Sequence, residues 1–158
     1  MGKRSVRENK TPYQLAREAC GLTREQASEK MEYVSADRIE KIENERISPG
    51  PDDVMAMAKA YNDTLLCNYY CSEQCPIGRE YVPAIEIKNL SEITLEALST
   101  LNALEKARNR FIDIAADSRI SPDEMEDFLD IRDKLEKIAL TADSLRYWMD
   151  RNLPDAEK

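Results

Sequence analysis

Three of the four cysteines in this 158-residue sequence, Cys67, Cys71 and Cys75, are each separated from the next by three residues. On a continuous helix this spacing would place the three thiols on one face. Tetrahedral zinc sites need four ligands and usually contain C-x2-C pairs, and here the fourth ligand could only be Cys20, a carboxylate or water. We therefore expect Cys67 and Cys71 to be core side chains, with a thiolate metal or redox sensor as a weaker alternative.

Other metal and catalytic chemistry has little support in the sequence. Histidine is absent, which excludes Ser-His and Cys-His nucleophile pairs and HExxH zinc sites. The four glycines, at positions 2, 21, 50 and 78, are too far apart to form a phosphate-binding loop. Residues 113–124 resemble an EF-hand loop but have no oxygen ligand at position 3 and no glycine at position 6. We predict no enzymatic activity and no cofactor.

Composition indicates a helix-rich globular protein, with 42% hydrophobic and 34% charged residues. The sequence contains no run of 18 apolar residues, which is about the length needed to span a membrane. The charged start of the sequence is also unlike the apolar region of a signal peptide. We expect a cytoplasmic protein that does not contact membranes.

Residues 11–74 are predicted to contain five short helices. Capping residues or prolines precede the first four, and they are Thr11-Pro12, the capping box Thr23-Arg24-Glu25-Gln26, Ser35, and Ser48-Pro49-Gly50-Pro51. The fifth helix is expected around residues 64–72. A basic N-terminal arm, residues 1–10, precedes this block.

Residues 90–152 are predicted to form a long antiparallel helical hairpin that turns back near residue 120. A connector over residues 75–89, non-helical because of its prolines and glycine, precedes it, and a tail over residues 153–158 follows. Two apolar stripes with coiled-coil-like spacing should form the seam. Their members are Ile93, Ala97, Leu101, Leu104, Phe111 and Ala115 on the first helix and Met125, Phe128, Leu135, Ala139, Ala142 and Met149 on the second. Arg108 and Arg132 interrupt the stripes, and we expect them to turn aside to Glu105, Asp133 or Glu136.

Three short segments carry a resemblance to a known family. They are Gly21-Leu22-Thr23 with the capped helix that follows, the small pair Ala27-Ser28, and Ile39-Glu40-Lys41-Ile42-Glu43-Asn44 followed by Pro49. Residues 11–70 resemble the lambda-repressor-like (XRE-type) helix-turn-helix family. The resemblance implies an all-α fold, a five-helix domain followed here by the hairpin. It also implies binding to double-stranded DNA, with the third helix, residues 35–44, in the major groove.

The resemblance also assigns candidate DNA-binding residues. Base contacts would come from the start of the third helix, namely Ser35, Ala36, Asp37, Arg38 and Lys41. Phosphate contacts would come from Arg24 and Arg46, and the arm with Lys3, Arg4 and Arg7 could reach around the duplex.

Five acidic or bulky residues depart from the family pattern. The turn Glu32-Tyr33 is one residue longer than the usual single glycine, and Glu45 replaces a common glycine. Asp37 and Glu40 are acids on the predicted groove face, where a carboxylate is tolerated only if it accepts from a cytosine amino group.

The net charge of −8 is unevenly distributed. Residues 1–66 contain 11 Lys or Arg against 12 Asp or Glu, a net −1, whereas residues 67–158 contain 12 against 19, a net −7. The acidity therefore does not exclude DNA binding by the first block. We predict a transcriptional regulator that acts as a homodimer through the hairpin. The alternative is an adaptor that binds a protein partner with the acidic hairpin and uses the helix-turn-helix as a scaffold.

Overall fold

The computed structural model describes residues 9–153, so the predicted contacts of Lys3, Arg4 and Arg7 lie outside the described residues. The chain divides into two compact units, one ending at Ala84 and the other beginning at Ile85. Over the described range every regular element is a helix, as expected for an all-α protein. None of these helices is both long and apolar enough to cross a membrane.

The first unit is a bundle of short helices around one core. Its helices are α1 (Pro12–Ala19), α2 (Arg24–Lys30), α3 (Ala36–Glu43), α4 (Pro51–Tyr61) and α5 (Leu65–Tyr69), followed by a π-helical turn (Tyr70–Gln74) and α6 (Gly78–Tyr81). The largest fully buried apolar side chains are Tyr13, Ile39 and Met57. They come from α1, α3 and α4, so the core joins the three helices that must position α2.

The predicted helix starts of the first unit are confirmed. Thr11, Thr23 and Ser35 are the N-caps of α1, α2 and α3, and each side-chain oxygen accepts a hydrogen bond from the backbone N–H of the third residue of its helix. At α4 the roles are reversed, because Gly50 has no side chain and the Asp53 carboxylate instead accepts from the Gly50 N–H at 2.7 Å. Local capping chemistry therefore sets the lengths and turns of the bundle.

The end of the first unit differs from the prediction in two ways. The fifth helix continues as a π-helical turn, in which the Cys75 N–H donates to the Tyr70 carbonyl. The predicted non-helical connector contains α6, which begins at Gly78. A Cβ at Gly78 would collide with the backbone of Cys71, so only glycine allows this turn to pack so closely.

The second unit contains the predicted antiparallel hairpin, formed by α7 (Leu90–Ala115) and α8 (Met125–Asn152). Its seam is rotated from the predicted stripes. The fully buried seam residues are Ile93, Thr100, Ile114, Ile131 and Thr141, and Ala97, Leu104, Phe111 and Phe128 are half-buried. The remaining predicted seam residues are exposed, namely Leu101, Ala115, Met125, Leu135, Ala139, Ala142 and Met149.

Two buried threonines explain why the predicted apolar stripes differ from the observed seam. The hydroxyls of Thr100 and Thr141 donate to the carbonyls of Glu96 and Lys137, one turn earlier, at 2.8 Å. A hydroxyl satisfied within its own helix can enter an apolar seam without leaving a buried polar atom unpaired. Each helix therefore has a second apolar stripe beside the true seam, and spacing alone does not distinguish the two.

The two arginines of the hairpin behave as predicted. Arg108 pairs with Glu105 (Nη1–Oε1, 3.3 Å), and Arg132 pairs with Asp133 (Nη2–Oδ1, 2.6 Å) and more distantly with Glu136. Both guanidinium groups are exposed, so these ion pairs contribute little to folding.

Candidate nucleic-acid interface

Ala27 of α2 has no exposed surface and belongs to the same buried cluster as Ile39 and Ile42 of α3. A larger side chain at position 27 would have to displace its neighbours in this cluster. Met31 and Val34, on either side of the turn, are also buried and attach both helices to the core. The small residue at position 27 therefore lets α2 pack closely on the core that it shares with α3.

The turn between these helices includes the additional residue noted in the sequence, and α4 holds it in place. The Tyr33 hydroxyl donates to the Asp52 carbonyl at 2.7 Å, although 61% of the Tyr33 side chain is exposed. Glu45, where the resemblance expects glycine, has a left-handed backbone with φ of 57°. The sequence departs from the pattern at both places, and the backbone accommodates both departures.

The start of α3 presents most of its candidate base-reading residues to solvent. Ser35, Asp37, Arg38 and Lys41 are exposed and Ala36 is half-buried. The Ser35 hydroxyl oxygen accepts from the Arg38 N–H at 3.2 Å, which fixes the first turn of the helix. The candidate face therefore begins at a capped helix N-terminus.

Both basic side chains on this face are paired with carboxylates of the same domain. The Lys41 ammonium lies 2.7 Å from Asp37 Oδ2, one turn away on α3. Arg38 donates from Nε and Nη2 to the two carboxylate oxygens of Asp53 at 2.6 and 2.7 Å. The Arg38 guanidinium holds the pKa of Asp53 below its usual value of 3.8, with help from the Gly50 N–H. These pairs partly neutralise the positive charge of the α3 surface.

Arg24, the predicted phosphate-binding residue, is also paired. Its Nε donates to Glu43 Oε2 at 2.9 Å, and Arg17 donates to both oxygens of the same carboxylate at 2.5 and 2.9 Å. The third nitrogen of the Arg17 guanidinium, Nη1, donates to the Leu22 carbonyl at 2.6 Å. Glu43 has no exposed surface, so one buried carboxylate joins α1, α2 and α3.

Sequence reasoning did not identify Arg17, Glu43 or Asp53, although a signal was present for Glu43. It lies four residues after Ile39 and next to Ile42, on the helix face that the isoleucines define as buried. A carboxylate on a buried face requires a cation, and Arg17 was available on the first helix. Asp53 gave no comparable signal because it is also a normal N-terminal helix residue.

Arg46 and Lys30 are the exposed cations near this face that have no carboxylate within ion-pair distance among residues 9–153. Arg46 follows the left-handed Glu45 immediately after α3, and Lys30 is the last residue of α2. Both are free to bind a phosphate without first breaking an ion pair of the domain.

Comparison with known families agrees with this geometry. The helix-turn-helix family model matches residues 14–64, the segment from α1 to the start of α5. This segment is therefore similar to helix-turn-helix domains, as the lambda-repressor-like resemblance implied. This helix-turn-helix family is a DNA-binding family associated with transcriptional regulation, and its members are generally not enzymes. Searches of curated proteins and of solved structures found no match to the chain.

The continuous helix that would place Cys67, Cys71 and Cys75 on one face is interrupted. The π-helical turn shifts the register after Tyr69, and Cys75 has an extended backbone. Among the described residues no three acidic, cysteine or histidine side chains converge as metal ligands. Cys67 packs on the core as expected, and its burial raises the pKa of its thiol. Cys20 is exposed, and its thiol donates to the Tyr61 carbonyl at 3.0 Å.

Proposed function

We propose that this protein is a sequence-specific regulator that binds double-stranded DNA by inserting α3 into the major groove. The observation that carries the proposal is the capped, exposed start of α3 within the matched segment. Residues 11–74 would bind DNA, residues 75–89 would connect the units, and residues 90–152 would pair two copies. A dimer would present two α3 helices to two half-sites, which raises affinity without new contacts in either half.

The ion pair with Asp53 suits Arg38 for base recognition. Asp53 accepts from Nε and Nη2, which leaves Nη1 with two N–H groups pointing away from that carboxylate. A guanidinium held in this way loses less conformational entropy when it donates to an acceptor on a base edge. Because its charge is largely balanced, Arg38 would contribute specificity, while Arg46 and the basic arm would supply most of the attraction to phosphate.

Asp37 and Glu40 limit which bases the helix can read. The exposed Asp37 carboxylate can accept from a cytosine N4 amino group once Lys41 turns toward a phosphate or guanine. Glu40 is half-buried, and the Asn44 amide lies 3.5 Å from it, so Glu40 is directed along α3. We therefore expect a C·G pair opposite Asp37 in the preferred site.

Selection of bound sequences from random duplexes at low salt tests the proposal. An enriched motif is expected, and Lys41→Ala and Arg38→Ala should each weaken binding to it by about 1–3 kcal/mol. The matched control is Lys137→Ala, which removes an exposed lysine from the hairpin and should leave affinity unchanged. Circular dichroism of each variant checks that the fold is retained.

The alternative function is an adaptor that binds another protein through the acidic hairpin. It is favoured by the carboxylates that already pair with Arg24, Arg38 and Lys41. If folded wild-type protein fails to retain any duplex at low salt, DNA recognition is wrong and the adaptor becomes the better proposal.

A further inference from the structure

The hairpin has a second apolar surface beside its seam, which we call the outer face. On α7 it contains Leu98, Leu101 and Ile112, whose side chains are 51–60% exposed. On α8 it contains Met125, Leu129 and Met149, which are 39–44% exposed. Exposed apolar patches of this kind are rare on monomeric proteins and mark interaction sites.

The apolar residues of both helices lie on the same side of the hairpin. Leu101 directly follows the seam residue Thr100, and Leu129 directly follows the half-buried Phe128. When two helices pack antiparallel, the residue that follows each seam residue by one position lies on the same side of the pair in both helices. The middle of the opposite side carries small or charged residues, with Ser99, Asn102, Lys106 and Lys134 around a shallow groove, and Leu95 is an exposed apolar residue one heptad before Asn102. The apolar residues of the outer face therefore lie together on one side of the hairpin.

The residues of the outer face of α7 have the same spacing when the helix is read in either direction, and the two charged residues at its centre have opposite signs. The intervals are three, four, three, four and three residues, along the series Leu98, Leu101, Glu105, Arg108, Ile112 and Ala115. Reversing the helix about a point between Glu105 and Arg108 places Leu101 on Ile112 and Leu98 on Ala115. The same reversal places Glu105 opposite Arg108, so the stripe is complementary to an antiparallel copy of itself.

The outer face of α8 has the same property. Leu129, Arg132, Glu136 and Ala139 are spaced by three, four and three residues, and reversal places Arg132 opposite Glu136. Arg132 Nε already lies 3.6 Å from Glu136 Oε1 in the same chain, as Arg108 lies near Glu105 on α7. A single two-fold axis that crosses the middle of both helices would therefore pair the charged residues of α7 and of α8 with those of a second copy.

We propose that the outer face is covered by the outer face of a second copy of this chain, with α7 antiparallel to α7 and α8 antiparallel to α8. The result is a four-helix bundle with one charged layer at its centre and apolar layers on both sides. Charged residues in that layer would fix the register of the two copies. The arrangement specifies the homodimer proposed above and does not require DNA.

The surface is large enough for a stable dimer. A helix of 26 residues, the length of α7, is about 39 Å long, and two adjacent helices present a width of about 20 Å. The outer face therefore offers about 780 Å² per copy, compared with about 800 Å² per partner in a standard protein–protein interface.

Sedimentation equilibrium of the full chain without DNA tests the interface. We expect a species of twice the 18.1 kDa chain mass at micromolar concentration. Leu101→Glu should raise the dimer dissociation constant about 100-fold, since the axis repeats the substitution and each copy costs about tenfold. The matched control is Asn102→Glu, which adds the same charge on the opposite side and should leave the mass unchanged. Circular dichroism verifies that both variants retain their helices.

Charge reversal tests the pairing of Glu105 with Arg108. Glu105→Arg alone and Arg108→Glu alone should each weaken the dimer, because like charges then face each other across the axis. Mixing these two variants should restore it, because each arginine then faces a glutamate in a heterodimer. Disulfide crosslinking determines the direction of packing. Leu101→Cys and Ile112→Cys should crosslink to each other when the two variants are mixed, and neither variant should crosslink to itself. Wild-type protein is the control for crosslinks through the native thiols.

Three results would overturn the proposal. They are a monomeric wild-type chain at these concentrations, a dimer that Leu101→Glu and Asn102→Glu affect equally, and crosslinking of Leu101→Cys to itself. None of these results depends on DNA binding, so the dimer and the DNA-binding proposal can fail separately.

Discussion

In the helix-turn-helix unit, twelve buried apolar residues form one cluster, whereas in the described hairpin Ile93, Ile114 and Ile131 are the buried apolar residues. The first unit surrounds its core with helices that approach from several directions. The second has only two helices, so each leaves apolar side chains exposed on the face that does not form the seam. The second copy proposed above would cover these side chains, whereas the first unit already buries its own.

The single tryptophan, Trp148, lies on α8 and makes this comparison measurable. Its fluorescence reports unfolding of the hairpin, whereas circular dichroism reports the helices of both units.

The largest effect is expected from Glu43→Ala in the first unit. Loss of this buried carboxylate leaves Arg17 as a buried cation without its charge partner, which should lower the free energy of unfolding by about 3–5 kcal/mol. Urea unfolding followed by circular dichroism should shift to lower urea while the Trp148 transition stays in place. The control is Glu29→Ala, which removes an exposed glutamate from α2. If Glu43→Ala also shifts the Trp148 fluorescence transition, the two units do not unfold separately.

Ile131→Ala should produce the complementary result in the hairpin. Removing this buried side chain from the seam should cost about 2–4 kcal/mol, because the two helices cannot close the cavity fully. Here the Trp148 fluorescence transition should shift. The control is Ile112→Ala, which makes the same chemical change on the outer face. It should lower the free energy of unfolding of a monomer much less than Ile131→Ala does. Equal losses would show that both residues lie in one core.

Arg38→Ala should destabilise the first unit only slightly at neutral pH, since 44% of the arginine side chain is exposed and solvent screens its ion pair. Arg38 lowers the pKa of Asp53, so the stabilisation is complete above the usual value of 3.8 and is lost as pH falls through the lowered pKa. Unfolding curves of wild type and variant should therefore converge below about pH 4. Lys59→Ala is the control at an exposed site of α4, and a difference that persists in acid would contradict the ion pair.

Tyr61→Phe should have the smallest effect, within about 0.5 kcal/mol or slightly stabilising. Among the described residues the Tyr61 hydroxyl is the buried side-chain polar atom without a hydrogen-bond partner, and burial raises its pKa. Tyr13→Phe is the informative contrast, because the Tyr13 hydroxyl donates to Gln74 at 2.9 Å and its loss should cost more. Thermal unfolding by circular dichroism compares the two, and a larger loss for Tyr61→Phe would reveal a partner for that hydroxyl.

Local chemistry made the helix starts and the two units' helical character predictable. Thr11, Thr23 and Ser35 each begin a helix through a side chain that interacts with residues three positions away. The seam of the hairpin was less predictable, because Thr100 and Thr141 appear polar in sequence but satisfy their hydroxyls within their own helices.

Long-range pairs account for most of what the sequence did not predict at the candidate site. The partners Arg17 and Glu43 are 26 residues apart, and Arg38 and Asp53 are 15 apart. Such pairs depend on how the helices pack, which residue spacing alone does not specify. The sequence indicated the exposed start of α3, but it did not show that the cations there are held by carboxylates.

The two roles of Asp53 have a consequence for how this protein can change over evolution. One oxygen of its carboxylate caps α4 and both hold Arg38, so the start of one helix and the orientation of a side chain on another depend on the same residue. A substitution of Asp53 that releases Arg38 therefore also removes the contact that caps α4. In the proposed DNA-binding role, new specificities are more accessible through Asp37 and Lys41, which are exposed, pair with each other and cap no helix.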